Sequence, residues 1–187
     1  MSFVLENYDY RFFIIDTYAL ENLMTRNGKQ RTKNIIRYFL KNQEPYIELC
    51  QNGSLFPIQG INSGEFHFSI DCDMSKNPDW EVLRVYEDQF LFCVNEFSSF
   101  WIVAGEKLCN WDHAYFKNND TMTSIVAGEE YLSAKKLNLH ESAYALSISV
   151  LKKKFMDQNK VLGFGINFKP IKPQVIFNQL TDFDFSA

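Results

Sequence analysis

Strict alternation of apolar and polar side chains predicts a strand over residues 65–70. Phe66, Phe68 and Ile70 fall on one side of this strand, and polar side chains fall on the other. Further apolar runs predict strands at residues 8–15, 161–168 and 174–180.

Three more strands are predicted in quick succession, at residues 81–87, 90–94 and 97–104. The very short connections between them favour a β-meander. The last two strands are apolar on both sides, so each face of the sheet needs a cover, and helices are the natural cover on one face.

Asn52-Gly53 separates two apolar runs, Pro45–Cys50 and Ser54–Gln59. An Asn-Gly pair in this position favours a tight turn, because the central residues of that turn adopt positive φ. The pattern therefore predicts a hairpin over residues 45–59.

Helical periodicity is clearest over residues 32–41, where Ile35, Ile36 and Phe39 share one side and lysine and arginine share the other. We also predict helices over residues 122–137 and 138–156, the second beginning at Asn138 as a capping residue. The expected fold is α+β: a mostly antiparallel sheet with helices packed on one face, in a single domain over residues 1–187.

Composition supports a folded domain with a sizeable core. The 187 residues include 18 Phe, and 16% of the side chains are aromatic. No apolar run approaches the roughly 20 residues that span a bilayer, and the N-terminus lacks the pattern of a signal peptide. The four cysteines, at positions 50, 72, 93 and 109, show no Cys-x-x-Cys spacing. We therefore expect buried free thiols and a cytoplasmic protein that contacts no membrane.

Charge is unevenly distributed along the chain. Residues 61–133 carry four basic and 13 acidic side chains, although the whole chain has a net charge of −4. A concentrated acidic surface would attract a basic partner and repel the phosphates of nucleic acid. Acidic residues also favour turns, so solvated turns would give the same pattern.

Asp71 and Asp73 follow the strand over residues 65–70 on its polar side. An Asp-x-Asp pair at a strand end can hold a divalent metal for phosphate or sugar-nucleotide chemistry. The residues that accompany such a pair in these enzymes are missing here, so a solvated strand end fits the pattern better. A small metal-dependent transferase or hydrolase remains the alternative function.

Cys109 and His113 have a spacing that could supply two zinc ligands, but a zinc site needs further ligands. Trp111 lies between them, close to Tyr115 and Phe116. Exposed aromatic side chains beside acids are typical of protein contact sites, so the sequence predicts a binding loop here.

These patterns favour a protein-binding inhibitor over an enzyme. We expect an immunity or antitoxin-like protein that neutralises a basic partner, such as a bacterial nuclease toxin, through an acidic surface and without a cofactor. The predicted partner contacts are Asp71, Asp73, Asp79, Glu81, Glu87, Asp88, Trp111 and Asp112.

Overall fold

The computed structural model describes residues 1–59, 61–72, 76–154, 161–172, 177–179 and 185, without the side chains of Asp88 and Gln89. The strands are β1 (Ser2–Asn7), β2 (Arg11–Asp16), β3 (Leu55–Gln59), β4 (Gly64–Ile70), β5 (Trp80–Cys93), β6 (Phe100–Ala104), β7 (Thr121–Val126), β8 (Glu129–Lys136), β9 (Ala143–Lys153) and β10 (Gly163–Pro170). The helices are α1 (Thr17–Arg26), α2 (Ile35–Lys41), α3 (Gln43–Gln51), α4 (Gly105–Cys109) and α5 (His113–Asn118).

These strands form two five-stranded sheets. The first has the order β1-β4-β10-β9-β5, and the second has the order β3-β2-β6-β8-β7. Within the described residues every neighbouring pair is antiparallel except β4 and β10, which run parallel. The predicted α+β class is therefore confirmed, and the single mostly antiparallel sheet that we expected is instead two such sheets.

Aromatic side chains from the two sheets meet in a shared core. Phe12 of β2 contacts the rings of Phe66 and Phe68 of β4 edge-on, with centroids 5.6 and 5.0 Å away. In this arrangement the positive edge of one ring faces the negative face of another. This attraction stabilises the core in addition to the burial of apolar surface. Phe185 near the C-terminus also enters this core, beside Phe56.

The other side of the second sheet carries a second apolar cluster. Phe13 and Ile15 of β2 and Trp101 of β6 pack there with apolar residues of the helices, including Ile35 and Leu108. Strands β2 and β6 are thus buried on both faces, as the apolar run over residues 97–104 predicted for β6.

The predicted helices over residues 122–137 and 138–156 are wrong, because β7, β8 and β9 occupy this part of the chain. Ala127 and Gly128 form a two-residue turn between β7 and β8, with φ values of 53° and 89°. Positive φ at both turn residues matches the right-handed twist of the paired strands. In β9, Leu146, Ile148 and Val150 alternate into the core between the sheets.

The predicted meander is also wrong, because none of β4, β5 and β6 is a neighbour of another in the sheet orders. Pro45–Cys50 forms most of α3 and not a strand. Pro45 fits the first turn of α3, where backbone N–H groups have no partner within the helix. Asn52-Gly53 follows α3, and Gly53 takes the positive φ of 75° that is common after a helix end.

Other expectations have mixed outcomes. The helix over residues 32–41 and the strands over 65–70 and 161–168 are found as α2, β4 and β10. The strand over 8–15 begins only at Arg11, and β1 before it was not predicted. Most of the predicted strand over 174–180 lies outside the described residues.

All four cysteines are free thiols, but Cys93 is exposed, which corrects the expectation that all four are buried. Burial raises the pKa of the Cys50 thiol to about 12. In the described ranges, no helix has the length and apolar character needed to cross a bilayer.

Candidate functional site

Asp71 has a structural role at the end of β4. Its Oδ1 accepts a hydrogen bond from the backbone N–H of Phe168 in β10, with a donor–acceptor distance of 3.0 Å. Its own φ is 53°, a conformation that Asp tolerates better than most residues. Asp73 lies outside the described residues. The Asp-x-Asp metal hypothesis therefore stays a prediction, with one carboxylate already joining two strands.

Asp79 and Glu81 lie beside the basic end of β9. The Glu81 carboxylate is 3.2 Å from the Lys152 ammonium, and the backbone oxygen of Asp79 accepts from the N–H of Lys154. Lys153 lies between these two lysines in β9, opposite Trp80. The Glu81 charge is therefore matched by a lysine of the neighbouring strand, and Asp79 and Glu81 remain predicted partner contacts.

Glu87 is exposed on β5, the edge strand of the first sheet, where pairing with β9 is irregular between Tyr86 and Phe90. Asp88 follows it in the same irregular stretch, and its side chain is outside the described parts. Both residues remain predicted partner contacts.

Trp111 is buried, with 5% of its surface exposed, and its ring stacks on Phe116 at a centroid distance of 4.7 Å. Asp112 caps α5, because its Oδ1 accepts from the N–H groups of Ala114 and Tyr115. The expected exposed aromatic loop is thus wrong: the segment forms α4 and α5, and Trp111 belongs to the core.

The hypothesis of a zinc site around Cys109 gains no support from the described residues. His113 pairs with Glu21 of α1, with its Nε2 2.5 Å from a carboxylate oxygen. The Cys109 thiol points to Asp9, at 3.9 Å. Across the described ranges, no three His, Cys, Asp or Glu side chains are grouped so as to hold a metal ion.

A different set of acidic residues comes together around two tyrosines. We call this set the acidic–tyrosine patch, and it comprises Glu6, Tyr8, Glu106, Glu129 and Tyr131. Glu6 lies at the end of β1 and Tyr8 just after it, Glu106 lies in the first turn of α4, and Glu129 and Tyr131 lie at the start of β8.

Hydrogen bonds tie the patch together. The Tyr8 hydroxyl donates to Glu6 Oε1, and the Tyr131 hydroxyl donates to Glu129 Oε2. The two tyrosine rings meet edge to face, with centroids 6.2 Å apart. The backbone N–H of Tyr8 donates to Glu106 Oε2 over 3.4 Å. Each tyrosine therefore orients a carboxylate, and their contact brings these two pairs to one place.

The patch is electronegative. Hydrogen bonding to Glu6 raises the pKa of Tyr8, and hydrogen bonding to Glu129 raises that of Tyr131, because each carboxylate favours the protonated phenol. Burial raises the pKa of Glu106. Glu6 Oε2 and Glu106 Oε1 are shielded from solvent and receive no hydrogen bond from the residues that the structure describes.

Arg11 bounds the patch on one side. Its guanidinium binds both carboxylate oxygens of Asp9, at 2.7 and 2.8 Å, so its charge is already matched. The Lys107 ammonium donates to the backbone oxygen of Thr123 on β7. These two cations are therefore hydrogen-bonded to other groups, and neither donates to the shielded oxygens Glu6 Oε2 and Glu106 Oε1.

Only a short local pattern in the sequence points to this patch. Glu129 and Tyr131 are two residues apart on β8 and share a side of that strand, and Glu6 and Tyr8 have the same spacing at the end of β1, with Tyr8 just beyond its last residue. This spacing is the local pattern that could have identified them. It was hidden because residues 129–131 fell within a predicted helix and β1 was not predicted.

No protein-family model, curated protein or solved structure matches this chain.

Proposed function

We propose that this protein is a protein-binding inhibitor of the immunity or antitoxin type, which takes up a basic surface of its partner at the acidic–tyrosine patch. The observation that carries the proposal is the pair of shielded, unsatisfied carboxylate oxygens, Glu6 Oε2 and Glu106 Oε1, beside the paired rings of Tyr8 and Tyr131. A shielded acceptor without a donor is unfavourable, and a donor from a partner removes that cost.

Arginine or lysine of the partner supplies the matching chemistry. A guanidinium has five donors in a fixed plane, so it can donate to a carboxylate while it lies against an aromatic ring. Tyr8 offers such a ring at the surface, with 38% of its area exposed. Tyrosine and arginine are enriched among the residues that dominate binding energy at protein interfaces.

The basic clefts of nucleases are natural targets for a patch of this kind. Occlusion by an acidic protein would exclude the nucleic-acid substrate through charge and volume together. On this proposal the protein acts in the cytoplasm of the cell that makes the toxin.

A photo-crosslinking experiment tests the proposal. The protein carries benzoylphenylalanine in place of Tyr8, is irradiated in lysate of its native cell, and cross-linked proteins are identified by mass spectrometry. We expect one basic protein, and stoichiometric addition of the unmodified protein should abolish that partner's enzymatic activity.

Charge-neutral variants then locate the contact. Glu6→Gln combined with Glu106→Gln should weaken binding to the captured partner at least about tenfold, because the charges that meet the partner's cations are lost. Asp79→Asn combined with Glu81→Gln is the matched control and should leave the affinity unchanged. If the control pair weakens binding and the patch pair does not, the proposed site is wrong.

A further inference from the structure

A second surface has the opposite charge. Between Asn22 and Gln43 the chain carries six basic side chains and no acidic one, although its net charge is −4. All six are exposed, and among the described residues only Arg26 forms an ion pair, with Glu48. The six are Arg26, Lys29, Arg31, Lys33, Arg37 and Lys41.

Hydrogen bonds and core contacts hold this segment in a defined position. The side chain of Asn34 caps α2 by accepting from the N–H of Arg37 at 2.8 Å. The backbone oxygen of Lys33 accepts from the N–H of Trp111 at 2.7 Å. Ile35 and Ile36 on the other side of α2 are buried in the second core. The exposed side of α2 is therefore fixed against the body of the protein.

Three of the cations lie on α2 or just before it, and we call them the cation row. Arg37 and Lys41 are four residues apart and share one side of α2, and Lys33 directly precedes the N-cap of the helix, Asn34. Such a row suits an extended anionic segment better than a single small anion, which would need converging donors.

An apolar cavity lies next to this row. It has a volume of about 340 Å³ and is lined mainly by Phe13, Ile36, Phe39, Leu40, Tyr46 and Ile47. Leu40 is 73% exposed and lies on α2 between Arg37 and Lys41. Peptide-binding grooves commonly pair an apolar pocket, which takes one side chain of the peptide, with charged residues at its rim. The cavity with Leu40 supplies the pocket, and Arg37 and Lys41 supply the charges.

We infer that this basic groove, formed by Lys33, Arg37, Leu40, Lys41 and the adjoining cavity, binds an acidic peptide segment of a partner protein. One large apolar side chain of the segment enters the cavity, and flanking carboxylates pair with the cation row. The negative charge of such a segment is complementary to the cations of the groove, and its apolar side chain fills the cavity. A nucleic-acid backbone would use the cations alone and leave the apolar cavity unfilled.

The groove is distinct from the acidic–tyrosine patch. Arg11 lines the cavity, but its guanidinium is bound to Asp9. Arg37 and Lys41 lie on α2, and Lys33 lies just before it. The inference therefore goes beyond the proposed function. Variants of the groove should not change binding of a basic partner at the patch, and Glu6→Gln with Glu106→Gln should not change binding at the groove.

Fluorescence anisotropy with labelled probes tests this inference. The first probe is a peptide of one leucine between two pairs of glutamates, the second replaces that leucine by serine, and the third is a single strand of about 20 thymidines. We expect the leucine peptide to bind at low salt, the serine peptide to bind at least about fivefold more weakly, and the oligonucleotide to bind no better than the serine peptide.

Variants connect the binding to named side chains. Arg37→Glu with Lys41→Glu should weaken binding of the leucine peptide at least about tenfold. Leu40→Ser should weaken binding of the leucine peptide more than that of the serine peptide. Lys153→Glu with Lys154→Glu, exposed cations elsewhere, should have no effect.

Three results would overturn the inference. One is the absence of binding to the leucine peptide at millimolar concentration. Another is binding that the Arg37 and Lys41 reversals do not change. The third is binding of the oligonucleotide alone, lost on those reversals, which would make the surface a nucleic-acid site.

Discussion

Tyr8 and Tyr131 meet edge to face, with ring centroids 6.2 Å apart, although they come from opposite parts of the chain. Each hydroxyl donates to the glutamate two residues before it in the chain, Glu6 or Glu129. The contact between the tyrosines therefore assembles two local Glu-Tyr pairs into one electronegative surface. Glu106 completes it from the first turn of α4.

Glu106 is expected to reduce stability at neutral pH. Burial raises the pKa of its carboxyl, so the folded protein binds the proton more tightly than the unfolded chain does. The free energy of unfolding therefore falls as the pH rises through the interval from the unfolded pKa to the folded pKa. Glu106→Gln should raise the free energy of unfolding at pH 7 by a few tenths to about 1 kcal/mol, since partial exposure reduces the effect.

Urea denaturation at about pH 7 and about pH 3 checks this expectation. At the lower pH the carboxyl is protonated in both states, so the gain should vanish. Glu130→Gln, at an exposed carboxylate on the same strand as Glu129, is the control and should change little at either pH. An equal increase in the free energy of unfolding of Glu106→Gln at both pH values would show that the charge of Glu106 is not the cause.

Trp111→Ala should destabilise the protein by about 3–5 kcal/mol, because it leaves a cavity beside Phe116 in the second core. Asp112→Ala should cost only about 1 kcal/mol, the usual cost of losing a helix cap. Thermal unfolding of both variants measures the difference. If Trp111→Ala changes the stability only slightly but abolishes partner binding, Trp111 is a surface contact, as the sequence predicted.

Asp71 should matter for folding more than for metal binding. Asp71→Ala should cost about 1–2 kcal/mol, because the N–H of Phe168 loses its acceptor. Asp71→Asn keeps an acceptor and tolerates positive φ, so it should remain within about 0.5 kcal/mol of the natural protein. Chemical denaturation measures both variants. Millimolar Mg²⁺ binding in calorimetry that Asp71→Asn abolishes would instead support the metal-dependent alternative.

The four cysteines should differ in reactivity. Cys93 is exposed, whereas Cys50 is buried with a pKa raised to about 12. Burial also raises the pKa of Cys109. Since the thiolate is the reactive form, Cys93 should react with a thiol reagent well before Cys50 at pH 8. Peptide mass spectrometry after brief labelling identifies the modified site, and early modification of Cys50 would contradict the described burial.

Features that depend on local pattern could be predicted from the amino-acid sequence. Alternation over residues 65–70 placed Phe66 and Phe68 in the core, and the helical stripe of Ile35, Ile36 and Phe39 placed α2. Such periods arise from the geometry of a single strand or helix, so no distant residue is needed to recognise them. The α+β class followed from the same patterns.

In β9, local pattern was ambiguous. Tyr144, Ile148 and Leu151 fit a helical stripe, whereas Leu146, Ile148 and Val150 alternate as a strand does. Pairing with β5 on one side and β10 on the other settled the conformation, since these neighbours satisfy its backbone hydrogen bonds along most of its length. Propensity within the segment carries no information about those neighbours.

Which strands are adjacent and which charges meet became visible only in the folded protein. It placed Glu81 against Lys152 and so reduced the acidic surface that the sequence predicted. It also brought Glu6 and Tyr8 to Glu129 and Tyr131, far along the chain. Strand order depends on burial and loop closure across the whole chain, so local pattern does not predict it. A count of charges along the sequence likewise does not show which opposite charges become neighbours in the fold.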